Sequence, residues 1–101
     1  MRQVLALHCA LAAGSAWRPL GAVLEGVTLI APDLPGHGRA PSFDGNGDYM
    51  DAALETALAA MPDGKLDVVG HSYGGALALR LLADHPDRVR SLAVIEPVLF
   101  A

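Results

Sequence analysis

The sequence predicts an α/β fold in which a parallel sheet is flanked by helices. Short, mostly apolar runs alternate with helical patterns along the chain, and each run ends at a glycine, a proline or a polar residue. Runs of this length that are rich in β-branched residues are typical of strands covered on both faces. A strand–helix–strand order favours parallel strands with right-handed crossovers, so residues 1–101 are predicted to form part of one such domain.

Four strands are predicted from these runs. They are Val4–Leu7, Val27–Ala31, Leu66–Val69 and Ser91–Ile95. In open parallel sheets, chemistry is carried out at the carboxyl ends of the strands. The polar residues that fall at these ends are His8, Asp33, Ser72 and Glu96.

Helical patterns fill the intervals between the predicted strands. Asp51–Met61 places its leucines on one side, as expected of a helix that packs on a sheet. Tyr73–Asp84 is apolar nearly all round, so it is predicted to be largely buried. Ala16–Leu24 is a weaker helix because it contains Pro19 and Gly21.

Composition excludes several classes of function. Hydrophobic residues make up 52% of the chain and charged residues only 18%, which argues against disorder. The net charge is -4 and the seven basic residues are scattered, so we expect neither a nucleic-acid partner nor a membrane partner. Cys9 is the single cysteine, which rules out an internal disulfide and a cysteine pair for a metal. We predict no metal and no cofactor.

The start of the chain can be interpreted in two ways. The apolar segment Val4–Ala13, followed by small residues, fits a secretory leader with a cleavage site. His8 interrupts that segment, and a first strand ending at His8 explains more of the residues. Together with the lone cysteine, this favours the cytoplasm as the predicted location.

The stretch Val68–Ala76 contains the motif that indicates chemistry. It consists of a strand, a Gly-x-Ser-x-Gly sequence and the start of a helix. A serine hydroxyl needs exposure and orientation to act as a nucleophile, and a sharp strand-to-helix turn at Ser72 would supply both. Gly70 and Gly74 would remove side chains that collide across so tight a turn.

Other glycine-rich turns fit this stretch less well. A turn that merely connects a strand to a helix is the plainer alternative, but the motif lies in the strand and helix context that a nucleophilic serine requires, which makes a chance match much less frequent. A dinucleotide-binding turn needs Gly-x-Gly-x-x-Gly, and Ser72 occupies the position of its middle glycine. A phosphate-binding loop needs Gly-Lys-Ser or Gly-Lys-Thr, which this sequence lacks.

Four ordered segments give the chain a resemblance to the α/β-hydrolase superfamily. The first is Leu5–Ala10 with Trp17 after it, similar to the family's strand, His-Gly, loop and tryptophan. The second is Pro32–Ala40, which resembles the family's "PDLPGHGRS" segment. The Ser72 motif is the third, and Asp84–Leu92 resembles the family's helix end and next strand.

The resemblance implies roles for individual residues. Ser72 would be the nucleophile of a hydrolase acting on an ester or related acyl substrate. The backbone N–H groups of Tyr73 and Ala10 would form the oxyanion hole. Cys9 departs from the family's usual glycine, which puts the position of the Ala10 donor in doubt.

The acid of the site has two candidate sources. Most family members carry it after a later strand that this sequence does not include. A subset, among them some haloalkane dehalogenases, places a glutamate after the next strand, the one that follows the helix of the serine motif. Glu96 holds that place here. Those dehalogenases use aspartate as nucleophile, so Ser72 favours ester chemistry. Asp33 is predicted to be a turn residue.

None of the four histidines occupies the place from which the family's general base comes. His8 is expected to order the loop beneath the oxyanion hole, and His37 to shape its own loop. His71 lies within the sharp turn that carries Ser72, but its side chain is expected to point away from Ser72. His85 is expected to end a helix.

Two functional hypotheses follow. The family's initial hairpin, cap, last strands and base have no counterpart here, so the sequence is predicted to be a partial α/β-hydrolase domain, truncated at both ends. The first hypothesis is a serine hydrolase that needs the missing C-terminal part, with a small acyl or ester compound as its partner. The second is an inactive fragment, or a binding or interaction module of the same fold.

Overall fold

A four-stranded parallel sheet with helices on both faces confirms the predicted fold class. The computed structural model describes residues 2–97. Its elements are β1 (Arg2–Leu7), a 3₁₀ turn (Gly14–Trp17), α1 (Arg18–Val23), β2 (Val27–Ile30), α2 (Tyr49–Ala60), β3 (Leu66–His71), α3 (Tyr73–Asp84), a second 3₁₀ turn (Pro86–Arg88) and β4 (Val89–Ile95). No helix within residues 2–97 has the length and hydrophobicity needed to cross a bilayer.

The sheet has the strand order β2-β1-β3-β4, and every neighbouring pair is parallel. Leu7 pairs with Gly70, and His71 pairs with Ile95. The carboxyl ends of β1, β3 and β4 therefore meet at one edge of the sheet. This register positions the candidate site, because the loops after these three strands are brought side by side.

Most predicted boundaries agree with the structure within two residues. The largest change at a helix start is in α2, which begins at Tyr49 rather than at Asp51. The side chain of Asp48 accepts hydrogen bonds from the N–H groups of Met50 (2.7 Å) and Asp51 (3.3 Å). An aspartate in this capping position starts a helix by satisfying its free donors. The weak Ala16–Leu24 helix is a 3₁₀ turn followed by the six-residue α1.

The main core lies between the sheet and the pair α2 and α3. Leu5 and Leu7 of β1 and Leu77 and Leu81 of α3 are completely buried there. Fully burying a leucine stabilises a fold by about 1.5–3 kcal/mol. Helix α1 covers part of the opposite face, where Leu20 and Leu24 line a groove together with residues of all four strands.

Two expectations about burial hold only in part. Helix α3 is buried on the side that faces the sheet, but Leu82 is 36% exposed and Asp84 is exposed on the other side. Strand β4 was expected to be covered on both faces, yet Val94 is 36% and Ile95 45% exposed. The cause is the position of β4, which is an edge strand of the sheet formed by residues 2–97.

A charged cluster on the α1 face joins three strands at their amino-terminal halves. Asp67 of β3 accepts two hydrogen bonds from Arg90 (3.1 and 2.6 Å) and one from the Ser91 hydroxyl (2.5 Å). The guanidinium of Arg2 lies 3.1 Å from the same carboxylate. The hydrogen bonds from Arg90 and Ser91 hold the pKa of Asp67 well below its usual range. The Asp67 side chain is only 12% exposed, so this carboxylate depends on its partners.

Replacing Asp67 by asparagine is expected to lower the free energy of unfolding by about 1 kcal/mol at pH 7, because charge-assisted hydrogen bonds are lost to partly exposed arginines. A carboxyl group whose pKa is lower in the folded than in the unfolded protein stabilises the fold fully when the pH is above its unfolded pKa of about 3.9. This stabilisation is lost as the pH falls through the pKa of the folded state. Urea unfolding from pH 7 down to pH 2 should therefore show the wild-type advantage shrinking below about pH 4. Asp63→Asn, in an exposed loop, is the matched control. A wild-type advantage that stayed constant to pH 2 would contradict this account.

Candidate active site

Ser72 lies at the sharp turn between β3 and α3. Its backbone has φ 55 and ψ -114, outside the ordinary regions for a residue with a side chain. Such a conformation costs about 1–3 kcal/mol and persists only where the surroundings enforce it. The N–H of Ser72 donates to the carbonyl of Ile95 (2.9 Å), and its carbonyl accepts from Gly75 N–H (2.9 Å). These bonds hold the turn between the end of β4 and the first turn of α3.

Two glycines make this turn sterically feasible. A Cβ atom on Gly70 would lie 2.2 Å from the carbonyl oxygen of Gly74, and one on Gly74 would lie 2.1 Å from that of Leu7. Both distances are far shorter than any real contact, and the atoms met are backbone atoms that cannot rotate away. The Gly70 contact lies across the turn, as predicted, whereas the Gly74 contact packs the first turn of α3 directly on the end of β1.

Polar groups at the turn are left available. The Ser72 side chain is half-buried and makes no hydrogen bond with any residue in 2–97. Tyr73 begins α3, so its N–H has no partner within the helix. The N–H of Ala10, in the loop after β1, likewise donates to no residue that the structure describes. Two free donors thus follow the ends of the adjacent strands β1 and β3.

His8 connects the loops that follow β1 and β2. It is 1% exposed, and its Nε2 accepts a hydrogen bond from Leu34 N–H (3.0 Å). The other nitrogen, Nδ1, therefore carries the proton and donates to the carbonyl of Cys9 (2.8 Å). Burial lowers the pKa of His8, which favours this neutral form. With both ring nitrogens occupied, His8 orders the Cys9 loop and is not free to act as a base.

The other three histidines are also not aligned with Ser72. His37 has its Nδ1 3.0 Å from the Pro35 carbonyl and 3.2 Å from the Tyr49 hydroxyl. His71 lies on the α1 face of the sheet, away from α3. His85 ends α3 at its far end, about 20 Å along the axis from Ser72. The general base is therefore not found among the histidines of the described chain.

Asp33 is a loop residue, as expected. Its carboxylate accepts hydrogen bonds from Gly14 N–H (2.8 Å) and Arg39 N–H (3.0 Å). These backbone bonds, that of Arg39 first, lower the pKa of Asp33. A Cβ on Gly38 would lie 2.5 Å from the same carboxylate, so a glycine is required there. Asp33 thereby joins the loop that precedes α1 to its own loop.

Glu96, the candidate acid, directly follows β4. Its side chain is exposed and its backbone has φ 46, again in the left-handed region. The preceding residue, Ile95, supplies the carbonyl that binds Ser72 N–H. The structure thus brings Glu96 to the same edge as Ser72, although the two side chains share no hydrogen bond. Val98 to Ala101 lie outside the described residues.

The loop after β1 contains a residue that sequence reasoning missed. Cys9 to Ala12 form a turn closed by a hydrogen bond from Ala12 N–H to the Cys9 carbonyl (3.2 Å). Leu11 occupies the third position of that turn with φ 64, and its side chain is 99% exposed. Cys9 itself is half-buried and has no positive φ, so the turn does not require glycine there. Leucine rarely adopts this conformation, so the residue type gives no indication of it.

An apolar cavity of about 360 Å³ lies on the α1 face behind the Ser72 turn. Its walls include Cys9, Trp17, Leu20, His71 and Ile95. Trp17 is 8% exposed, although its indole N–H has no partner among the described residues. No group of three or more His, Cys, Asp or Glu side chains in residues 2–97 could hold a metal ion.

Comparison with known proteins agrees with this geometry. Over 96 residues the chain is 40% identical to Lipase LipV of Mycobacterium tuberculosis, covering 94% of this chain but 37% of the lipase. A pimeloyl-[acyl-carrier protein] methyl ester esterase of Neisseria meningitidis is 48% identical over 66 residues, which are 65% of this chain and 24% of that enzyme. The chain thus spans well under half the length of these relatives.

A solved structure gives the same result for the fold. The thioesterase domain from the curacin biosynthetic pathway superposes with a TM-score of 0.82 at 32% identity, covering 99% of this chain and 39% of that one. The family model described as the alpha/beta hydrolase fold matches residues 3–100. On its strand order, its strand-to-helix turn and this match, the chain belongs to the α/β-hydrolase fold family.

Proposed function

We propose that this chain carries the nucleophile of a serine hydrolase that acts on a carboxylic ester or related acyl compound. The observation that supports it most is the conformation of Ser72. An energetically unfavourable φ of 55, held between β4 and α3, leaves the hydroxyl without an internal partner. Strain of this kind persists at functional sites because the surrounding structure enforces it.

In the proposed reaction, Ser72 Oγ attacks the carbonyl carbon of the substrate. The carbonyl oxygen gains negative charge and is stabilised by the N–H groups of Tyr73 and Ala10. One such donor contributes about 2.7–4 kcal/mol to the transition state. The serine proton passes to a base and then to the leaving alcohol. Water next attacks the carbonyl carbon of the acyl-serine and gives a proton to the same base, which returns it to Ser72 Oγ as the acid is released.

We infer that the base of this reaction lies outside residues 2–97. His8 uses both ring nitrogens, and none of the other three histidines bonds to Ser72. In α/β-hydrolases the base follows the last strand, and the relatives continue well beyond the part that this chain matches. The complete hydrolase therefore requires a segment that these residues do not supply. For the 101-residue chain alone, we expect no proficient hydrolysis.

Glu96 is the proposed acid. Its position after β4 and its left-handed backbone place it at the edge that carries Ser72. An acid at this place would orient and stabilise the protonated base. The named relatives are a lipase, a methyl ester esterase and a thioesterase, which supports a small acyl compound as substrate. The proposed location remains the cytoplasm, with neither nucleic acid nor membrane as partner.

The second candidate function is an inactive fragment or binding module of the same fold. It is favoured by one observation, that no described side chain is in position to accept the Ser72 proton. It predicts that Ser72 remains unreactive in the complete protein. Reactivity of Ser72 therefore discriminates the two hypotheses.

Ser72→Ala is expected to abolish covalent labelling of the complete protein by a fluorophosphonate probe, because the attacking oxygen is removed. The measurement is the mass of the intact protein after labelling, followed by mapping of the modified peptide. Ser42→Ala, at an exposed loop serine, is the matched control and should label like wild type. A complete wild-type protein that resists the probe would count against the serine hydrolase and for the binding module.

Gly74→Ala is expected to slow labelling at least a hundredfold, because its Cβ would lie 2.1 Å from the Leu7 carbonyl and must displace the turn that carries Tyr73 N–H. The melting temperature should fall as well. Gly21→Ala is the control, since the Cβ there meets only the flexible side chain of Leu29 at 3.3 Å. Wild-type labelling and stability in Gly74→Ala would disprove the close packing of α3 on β1.

A further inference from the structure

Backbone strain is concentrated at one edge of the sheet. Among residues 2–97, the non-glycine residues with positive φ are Leu11 (64), Ser72 (55) and Glu96 (46). They follow β1, β3 and β4, three adjacent strands whose carboxyl ends are in register. Two of the three are the proposed nucleophile and the proposed acid. The third, Leu11, has no role in the reaction described above.

Leu11 has an unfavourable backbone conformation, and burial against the rest of the described chain does not compensate for it. Its position in the turn favours glycine or asparagine, because a leucine Cβ crowds the backbone there. Its side chain is 99% exposed, so burial does not offset that cost. A leucine in this place is explained if its side chain contacts something outside residues 2–97.

We propose that Leu11 contacts the alkyl chain of the substrate and sets a preference for longer acyl groups. This inference rests on the proposed function. Ala10, whose N–H is a proposed oxyanion donor, directly precedes Leu11 in the same turn. The loop containing both residues lies against the first turn of α3, since Gly74 packs on the carbonyls of Leu7 and His8. An alkyl chain that leaves the reacting carbonyl over this loop meets Leu11.

The polar groups near Leu11 are already hydrogen-bonded, which also favours an apolar ligand group at this place. His8 and Cys9 bond to each other through Nδ1 and the carbonyl, and Ala12 N–H is used to close the turn. The tip of the loop therefore offers its apolar side chain rather than spare side-chain hydrogen-bonding groups. Contact with an alkyl chain removes the apolar surface of Leu11 from water, which is favourable in proportion to the area covered.

The test is Leu11→Asn in the complete protein, with Val23→Asn as the matched control. Asparagine tolerates the left-handed conformation and removes the apolar surface, while Val23 is 74% exposed on α1. The readout is the ratio of kcat/KM for p-nitrophenyl octanoate to that for p-nitrophenyl acetate. Leu11→Asn should lower this ratio about fivefold to tenfold, the loss expected for part of a leucine contact. Val23→Asn should leave it unchanged.

A second measurement does not depend on turnover. Sodium octanoate, compared with sodium acetate, should raise the melting temperature of wild type and Val23→Asn, and Leu11→Asn should lose more than half of that rise. Without ligand, Leu11→Asn should melt no lower than wild type, which separates the contact from misfolding. Ser72-dependent hydrolysis with an unchanged ratio in Leu11→Asn would overturn this inference alone.

The two proposals can therefore fail separately. If Ser72 does not react but the octanoate effect depends on Leu11, the serine hydrolase is wrong and the alkyl contact stands. If octanoate has no effect on wild type, or the same effect on Leu11→Asn, the alkyl contact is wrong.

Discussion

The close approach of α3 to the ends of β1 and β3 is the constraint on which the rest of the site depends. Gly70 and Gly74 allow backbone atoms to meet where any side chain would collide. This contact places Ser72 in its left-handed conformation and leaves its hydroxyl outside the regular bonding of strand and helix. It also brings the first turn of α3 against the carbonyls of Leu7 and His8, which precede the loop that carries Ala10. The burial of leucines in the core offsets the energy cost of the turn. These leucines are chiefly Leu5, Leu7, Leu77 and Leu81.

Polar side chains stabilise the sheet from both ends of its strands. Asp67 binds Arg2, Arg90 and Ser91 and so joins β1, β3 and β4 on the side away from Ser72. At the other end, His8 and Asp33 bind backbone N–H groups of neighbouring loops. These loops have little regular structure of their own. Their shape, and with it the position of the Ala10 N–H, is therefore set by two buried or half-buried side chains.

The exposure of β4 is a direct consequence of how much sheet these residues form. In a parallel sheet, an inner strand is covered by helices on both faces, and its edges are paired. Here β4 is at the edge of the sheet within residues 2–97, so one of its edges is unpaired there. The chain spans 37% of the lipase and 39% of the thioesterase domain to which it is similar. The same edge carries Glu96, so the candidate site is open on the side where β4 ends.

The sequence by itself determined the four strands, α2, α3 and the Ser72 turn, because apolar periodicity and glycine spacing are local properties of the chain. It also indicated that His8 and Asp33 would shape loops, through the resemblance to a known family. Only the tertiary structure decided which sides of α3 and β4 are exposed, since burial depends on neighbours that are distant in sequence. The left-handed conformations of Leu11 and Glu96 were likewise beyond sequence reasoning, because leucine and glutamate rarely adopt them and do so only when the surrounding structure imposes it.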